Sequence, residues 1–216
     1  MLPPYLGQLD NERQEVFHKL VAFNKEFILA GGTAIMLQIG HRESYDFDCF
    51  TGCQEDINPN LFRKIKRVFG LQTYKILENP EMIFAHTPQG VELNFVWHPY
   101  KALRKTIPTS SLDILHLDDL VSSKANTLGR RPQWRDYVDI FFLIKWKYYS
   151  INAIVDLAEK KYGGEFNSKL FAKQLTYFED VEVRPTVFLK ESYSEKEIKS
   201  YLAKQAQNYI KTAFPI

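Results

Sequence analysis

A short apolar run, Phe27-Ile28-Leu29-Ala30, leads into the glycine pair Gly31-Gly32 and Thr33. A helical stretch from Ala34 to Ile39 follows, and then a second run in which Asp46 and Asp48 alternate with Phe47 and Cys49. This order of strand, glycine pair, helix and strand constrains the fold more than anything else in the chain. Residues two apart on a strand share a face, so the alternation predicts Asp46 and Asp48 side by side, with Tyr45, Phe47 and Cys49 on the other, buried side. Two neighbouring carboxylates repel unless a cation lies between them, and a divalent ion with oxygen ligands meets that need. Without a Cβ, Gly31 and Gly32 let the backbone approach a ligand closely. The helix start behind them offers free N–H groups and the positive end of a dipole to a phosphate, with the Thr33 hydroxyl beside it. A phosphate cradle next to metal-holding carboxylates points to phosphoryl or nucleotidyl transfer from a nucleoside triphosphate.

The rest of the chain reads as a frame for this unit. Val16, Phe17, Leu20, Val21 and Phe23 recur at helical spacing over 11–24, ahead of the first strand. After a turn-rich loop over 51–60, Leu61 to Phe69 reads as a helix with Arg63, Lys64, Lys66 and Arg67 outward, ended by Gly70. Strand patterns follow over 71–77, 82–86 and 91–97, the last two joined by the turn Thr87-Pro88-Gln89-Gly90. From Leu117 onward the pattern is helical, over 117–162, 167–178 and 194–212. The fold class expected is therefore α+β: a small mixed β-sheet with flanking helices over 1–116, then a helical C-terminal region over 117–216 packed on that core.

A length of 216 residues suits one domain or one domain with a helical appendage, and a formal charge of +2 argues against a broadly basic, histone-like surface. Two cysteines, Cys49 and Cys53, cannot build a disulfide framework and read as reduced thiols. The start Met1-Leu2-Pro3-Pro4 lacks a basic segment followed by an apolar run, and no window reaches the ~18 apolar residues of a membrane span. These features predict a cytoplasmic protein with no membrane association.

Four blocks carry a resemblance: Gly31-Gly32-Thr33-Ala34, His41-Arg42-Glu43-Ser44-Tyr45-Asp46-Phe47-Asp48, Asp119-Leu120-Val121-Ser122-Ser123-Lys124, and Arg135-Asp136-Tyr137-Val138-Asp139. Over roughly residues 15 to 147 the chain resembles the AbiEii/AbiGii-type nucleotidyltransferases, which have the DNA polymerase β-like nucleotidyltransferase fold. Several of these are toxins of phage-defence toxin–antitoxin pairs. The resemblance implies a nucleotidyltransferase sheet, Mg²⁺ (or Mn²⁺) held by Asp46 and Asp48, an NTP substrate, a hydroxyl acceptor such as the 3′ end of a tRNA, and a cognate antitoxin. It also implies a third carboxylate on a neighbouring strand, where the matching position carries Asn94. Asparagine can ligate but cannot act as a base. Glu92 has the same facing and is one candidate substitute, water or another acid is a second, and with neither the chain would be a degenerate nucleotide-binding or interaction protein. A phosphotransferase using the γ-phosphate is a further alternative.

Other side chains are candidates on physical grounds. Lys124 sits within the apolar stripe of Leu117, Leu120, Val121 and Leu128, so it must snorkel to water or meet an anion, either a triphosphate or an active-site carboxylate, the latter two making it a catalytic-site candidate. Asp136 and Asp139 share the narrow polar side of an otherwise apolar helix; either they pair with Lys124 or Arg135, or Asp136 stands near the nucleotide. Arg42 suits bidentate phosphate contact or an ion pair with Glu43 or the aspartates, and Ser44 is placed to cap or to touch phosphate. The basic helix face over 61–69, with Lys101, Arg104, Lys105, Arg130 and Arg131, is either a solvated surface or the border of an RNA groove.

Overall fold

The structure, a computed structural model, describes residues 4–52 and 57–214. Cys53 lies outside the described residues, as do Met1, Leu2 and Pro3 of the N-terminal segment. The chain divides into two compact units, Met1–His116 and Leu117–Ile216.

The first unit is built on five strands: β1 (Phe27–Ala30), β2 (Asp46–Thr51), β3 (Tyr74–Asn79), β4 (Met82–His86) and β5 (Glu92–Val96), in the order β1-β2-β5-β4-β3. β2 and β5 run parallel and the other pairs antiparallel. The helices are α1 (Asn11–Lys19), continued by a 3₁₀ turn over Leu20–Phe23, α2 (Gly31–Ile39) and α3 (Leu61–Phe69). The sequence reading runs the first helix unbroken to residue 24, but its last turn is tightened to 3₁₀ geometry, common at helix ends. Asp10 caps α1 by accepting from the Arg13 N–H.

One sheet face is closed. Phe47, Cys49, Leu93, Phe95, Ile83 and Ala85 are buried there. Phe17 stacks on Phe47, and Phe23 bridges Phe95 and Phe69, which seats α1 and α3 on this side. The Cys49 thiol is pushed well up in pKa by burial, and the Asp48 charge adds to the effect. The opposite face carries the alternate residues, which are only partly covered. The free edge of β1 is closed by residues 113–115: the Leu29 N–H donates to Asp113 O at 2.8 Å and the Leu115 N–H donates to Leu29 O at 3.0 Å.

The second unit is helical: α4 (Leu117–Leu128), α5 (Trp134–Lys145), α6 (Ile151–Tyr162), α7 (Ser168–Gln174) and α8 (Glu195–Ala213). Ser194 and Glu197 form a capping box at the start of α8. As its all-round apolar sequence requires, α5 is buried almost throughout, from Tyr137 to Ile144. None of the described helices is long and apolar enough to cross a membrane.

Candidate active site

The glycine pair stands inside the first turn of α2, which begins at Gly31 rather than at Ala34. Both glycines are small for internal reasons. Gly31 has φ +67°, a left-handed conformation that favours glycine, and a Cβ there would lie 1.8 Å from Asp48 Oδ2. A Cβ on Gly32 would lie 2.7 Å from Arg42 Nη2 and 3.0 Å from Ser44 Oγ. The missing side chains therefore bring the Asp48 carboxylate and the Arg42 guanidinium onto the start of α2, an approach that the sequence reading assigned to a ligand. Thr33 is buried, and its hydroxyl donates to the Asp46 carbonyl, tying α2 to β2 instead of standing open to a phosphate.

Arg42 is 1% exposed and donates through Nη1 to the Glu43 carbonyl at 2.8 Å. It is a buried cation beside the helix start, not a side chain extended into solvent. Ser44, also buried, donates to Asp46 Oδ1 at 3.4 Å. Arg13, to which sequence reasoning gave no role, donates to the Ser44 carbonyl at 2.6 Å and holds the approach to β2 in place. The only signal for it was an arginine on the inward face of an amphipathic helix. Its guanidinium lies 4.7 Å above the Tyr45 ring. Tyr45 does not join the buried side as the alternation predicts: it precedes β2, is 51% exposed, and its hydroxyl donates to Glu43.

The strand register sets the acids. Asp46 pairs with Glu92 and Asp48 with Asn94 across the parallel β2–β5 ladder. Register partners share a face about 4.8 Å apart, so Asp46, Asp48, Glu92 and Asn94 form a two-by-two patch on the less covered face. Asn94 Nδ2 donates to Asp48 Oδ1 at 3.1 Å. That bond fixes the amide, because the flipped form would set oxygen against oxygen. Asn94 Oδ1 is then a buried acceptor without a hydrogen-bond partner. No cluster of three or more His, Cys, Asp or Glu side chains that could hold a metal occurs among the described residues. The oxygen donors available here are the two aspartates, the Asn94 amide oxygen and Glu92 on the adjacent strand, a hard set suited to Mg²⁺ or Mn²⁺.

The basic run of α3 stands on the closed side of the sheet. Lys64 is paired with Glu26 at 2.8 Å, and Lys66 and Lys75 lie over the Phe62 ring. It therefore does not border the acidic patch from the same face.

In the second unit Lys124 meets carboxylates. Its ammonium lies 2.6 Å from Asp136 Oδ1 and 2.8 Å from Asp139 Oδ2, joining α4 to α5. A second buried pair, Lys161 with Asp119 at 2.8 Å, joins α6 to α4. Burial pushes the Lys161 pKa down, and the bond to Asp119 opposes that shift. Asp118 accepts from the Tyr149 hydroxyl at 2.6 Å. The signal for Lys161 was its place on the apolar face of α6, seven residues after Ile154.

The sequence profile of the family described as nucleotidyl transferase AbiEii toxin of type IV toxin–antitoxin systems matches residues 16–214. The chain belongs to this AbiEii family. The match includes the helical region after residue 147, where the sequence alone showed no resemblance. An uncharacterised protein of Aquifex aeolicus is 26% identical over 207 residues, covering 91% of this chain and 99% of that protein. Among solved structures, the fold is similar to that of a Helicobacter pylori protein assigned as a nucleotidyltransferase, with TM-score 0.61, 17% identity, and coverage of 95% of this chain and 96% of that one. It is also similar to JHP933 of Helicobacter pylori, with TM-score 0.59, 16% identity and coverage of 98% and 94%. MenT4, a nucleotidyltransferase toxin of Mycobacterium tuberculosis, has TM-score 0.52, 10% identity and coverage of 95% and 88%. The AbiEii chain thus has the nucleotidyltransferase fold, with the acidic patch on its open sheet face.

Proposed function

We propose that this AbiEii-family protein transfers a nucleoside monophosphate from an NTP to a hydroxyl acceptor, with the acidic patch of β2 and β5 as its catalytic centre. The observation that carries the reading is the register. It sets Asp46, Asp48, Glu92 and Asn94 together on one face, with the Asp48 carboxylate seated against Gly31 at the start of α2. The residues fit a divalent cation: Asp46, Asp48 and the Asn94 amide oxygen would hold it. Held there, Mg²⁺ or Mn²⁺ would supply positive charge against the charge developing on the transferring phosphorus and on the leaving pyrophosphate.

The chain's own groups supply the rest. The N–H groups of the first turn of α2 and the buried Arg42 charge behind them favour the negative triphosphate. Glu92, next to Asp46, is the base in this reading: it takes the proton from the acceptor hydroxyl as that oxygen bonds to the α-phosphorus. The bond between the α-phosphorus and its bridging oxygen breaks, and pyrophosphate leaves. Asn94 cannot take a proton at neutral pH and serves to orient Asp48. The family assignment supports a toxin restrained by an antitoxin partner, and the proposed acceptor is an RNA end such as the 3′ end of a tRNA.

Incubation with NTPs labelled at the α- or γ-phosphate, with total RNA and with lysate, tests this. Wild-type protein is expected to transfer the α-label to RNA. Asp46→Ala and Asp48→Ala are expected to lose transfer yet keep the fold, since each relieves like-charge repulsion. Transfer of the γ-label, or an Asp46→Ala variant working near the wild-type rate, would overturn the assignment.

A further inference from the structure

The register that aligns Asp46 with Glu92 continues across the sheet: Glu92 pairs with His86 on β4, and His86 pairs with Tyr74 on β3. One transverse row on the open face therefore runs Asp46, Glu92, His86, Tyr74. The Tyr74 and His86 rings are stacked, with centroids 5.3 Å apart and planes 19° apart. In the next row Asp48 and Asn94 continue into Phe84 and Leu77. Half of this face is acidic, and the adjoining half is a shelf of rings and aliphatic carbon.

The shelf is open. Tyr74 is 57% exposed and Leu77 41% exposed, and all six residues of β3 are exposed. Folding gains little from a tyrosine ring so placed. We propose that the Tyr74–His86 stack is a base platform for the acceptor, which holds a terminal base of a single-stranded nucleic acid while its end hydroxyl reaches Glu92. This rests on the nucleotidyl-transfer reading of the acidic patch. At about 4.8 Å per strand, His86 lies roughly 5 Å and Tyr74 roughly 10 Å from the Glu92 position, within the reach of one or two nucleotides. Rings that already stack extend readily to a flat base, and every base has a π-face, so the platform tolerates sequence. The shelf's own residues, Tyr74, His86, Phe84 and Leu77, include no lysine or arginine, so its contribution is stacking and not phosphate attraction.

The test uses the full chain and a fluorescent single-stranded oligoadenylate as probe, with a second probe carrying a photoactivatable thiouridine next to its 3′ end. Tyr74→Ala is expected to weaken oligoadenylate binding by roughly 5- to 150-fold, the range for losing one stacked base. Tyr74→Phe is expected to restore binding to within about twofold, because the ring and not the hydroxyl carries it. Affinity for NTP without oligonucleotide is expected to stay at the wild-type level. Because stacking releases no counterions, the ratio of variant to wild-type affinity should hold constant as salt rises, even while both affinities fall. The cross-link is expected to map to the β3–β4 hairpin. Tyr74→Ala binding oligoadenylate as tightly as wild type, or cross-links confined to other segments, would overturn the proposal. So would α-label passing to protein in a Tyr74-dependent manner, since the acceptor would then be a polypeptide. If wild type binds and cross-links at Tyr74 but transfers no α-label, the transfer reading fails and the platform stands as a nucleic-acid site. If transfer proceeds and Tyr74→Ala leaves the acceptor KM unchanged, the platform fails and the transfer reading stands.

Discussion

Removing the Lys124 ammonium should destabilise the second unit by an amount that can be anticipated. The Lys124 side chain is 13% exposed, and those of Asp136 and Asp139 are 7% and 0% exposed, with the ammonium within 2.8 Å of both carboxylates. Breaking a buried ion pair by deleting one partner costs about 3–5 kcal/mol, because the charge left behind is desolvated. The residual exposure of Lys124 favours the lower end, so Lys124→Met is expected to lose about 3 kcal/mol. For a chain of this size that corresponds to a fall in melting temperature on the order of 10 °C. Methionine keeps the length and apolar character of the stem, which isolates the charge. Urea unfolding followed by circular dichroism measures the loss. The triple variant Lys124→Met, Asp136→Asn, Asp139→Asn should regain most of it, since two neutral amides no longer need a cation. A loss below about 1 kcal/mol in the single variant, or a triple variant no more stable than the single, would refute the claim that this lysine compensates buried charge.

Further outcomes follow from the geometry of the first unit and the chemistry of the second. Gly31→Ala is expected to cost about 1–2 kcal/mol for the left-handed backbone and to push Asp48 out of place; with misplacement near 1 Å costing on the order of a hundredfold in rate, turnover should fall further than stability does. Glu92→Gln should lower transfer by about 10²–10⁴-fold at saturating metal, whereas Asn94→Ala should instead raise the metal concentration needed for half activity; the opposite pattern would return the base role to another group. At alkaline pH, burial raises the Tyr137 pKa from 10.0 to about 12. The folded state therefore prefers the neutral phenol, and the contribution is intact below pH 10 and lost as pH rises from there to about 12. That loss is at most about 2–3 kcal/mol, and Tyr137→Phe should flatten the alkaline fall in stability measured by urea midpoints.

Patterns of one element at a time were legible in the sequence, and relations between elements largely were not. The alternation Asp46, Phe47, Asp48, Cys49 fixed the facing of β2, and a lysine in the apolar stripe of α4 called for an anionic neighbour, two of which are Asp136 and Asp139. Pattern alone misplaced β3, which begins at Tyr74 and not at Leu71: a backbone turn from Thr73 to Gly70 follows α3, and Leu71 stays 82% exposed. Nor could it show the α3 cations on the far side of the sheet from the acids, because helix periodicity gives an inward face without saying which sheet face receives it. The pair Lys161–Asp119 was hidden for a related reason. Each residue read as one polar position on its own helix, and only the packing of α4 on α6 brings them within 2.8 Å.

The glycine pair shows how one short motif can serve the chain's own side chains as well as a ligand. Two glycines ahead of a helix suggest a close approach by something, and a phosphate is the usual guest at a helix start. Here the near neighbours are the chain's own Asp48 and Arg42, one of each sign. An anionic side chain and a cationic one at the same helix start leave the local charge close to balanced, so the pair by itself does not make a strong anion site. A cation bound to Asp46 and Asp48 would tip that balance: it neutralises the acids and leaves the buried Arg42 charge and the helix dipole to act on the triphosphate. Metal and nucleotide should therefore bind with positive coupling. NTP affinity measured by equilibrium dialysis is expected to rise at least about fivefold when Mg²⁺ is added. Arg42→Met should reduce the affinity reached at saturating Mg²⁺, whereas Asp48→Asn should weaken the dependence on Mg²⁺ itself. Equal NTP affinity with and without Mg²⁺ would show that the acids and the glycine-lined helix start do not serve one ligand.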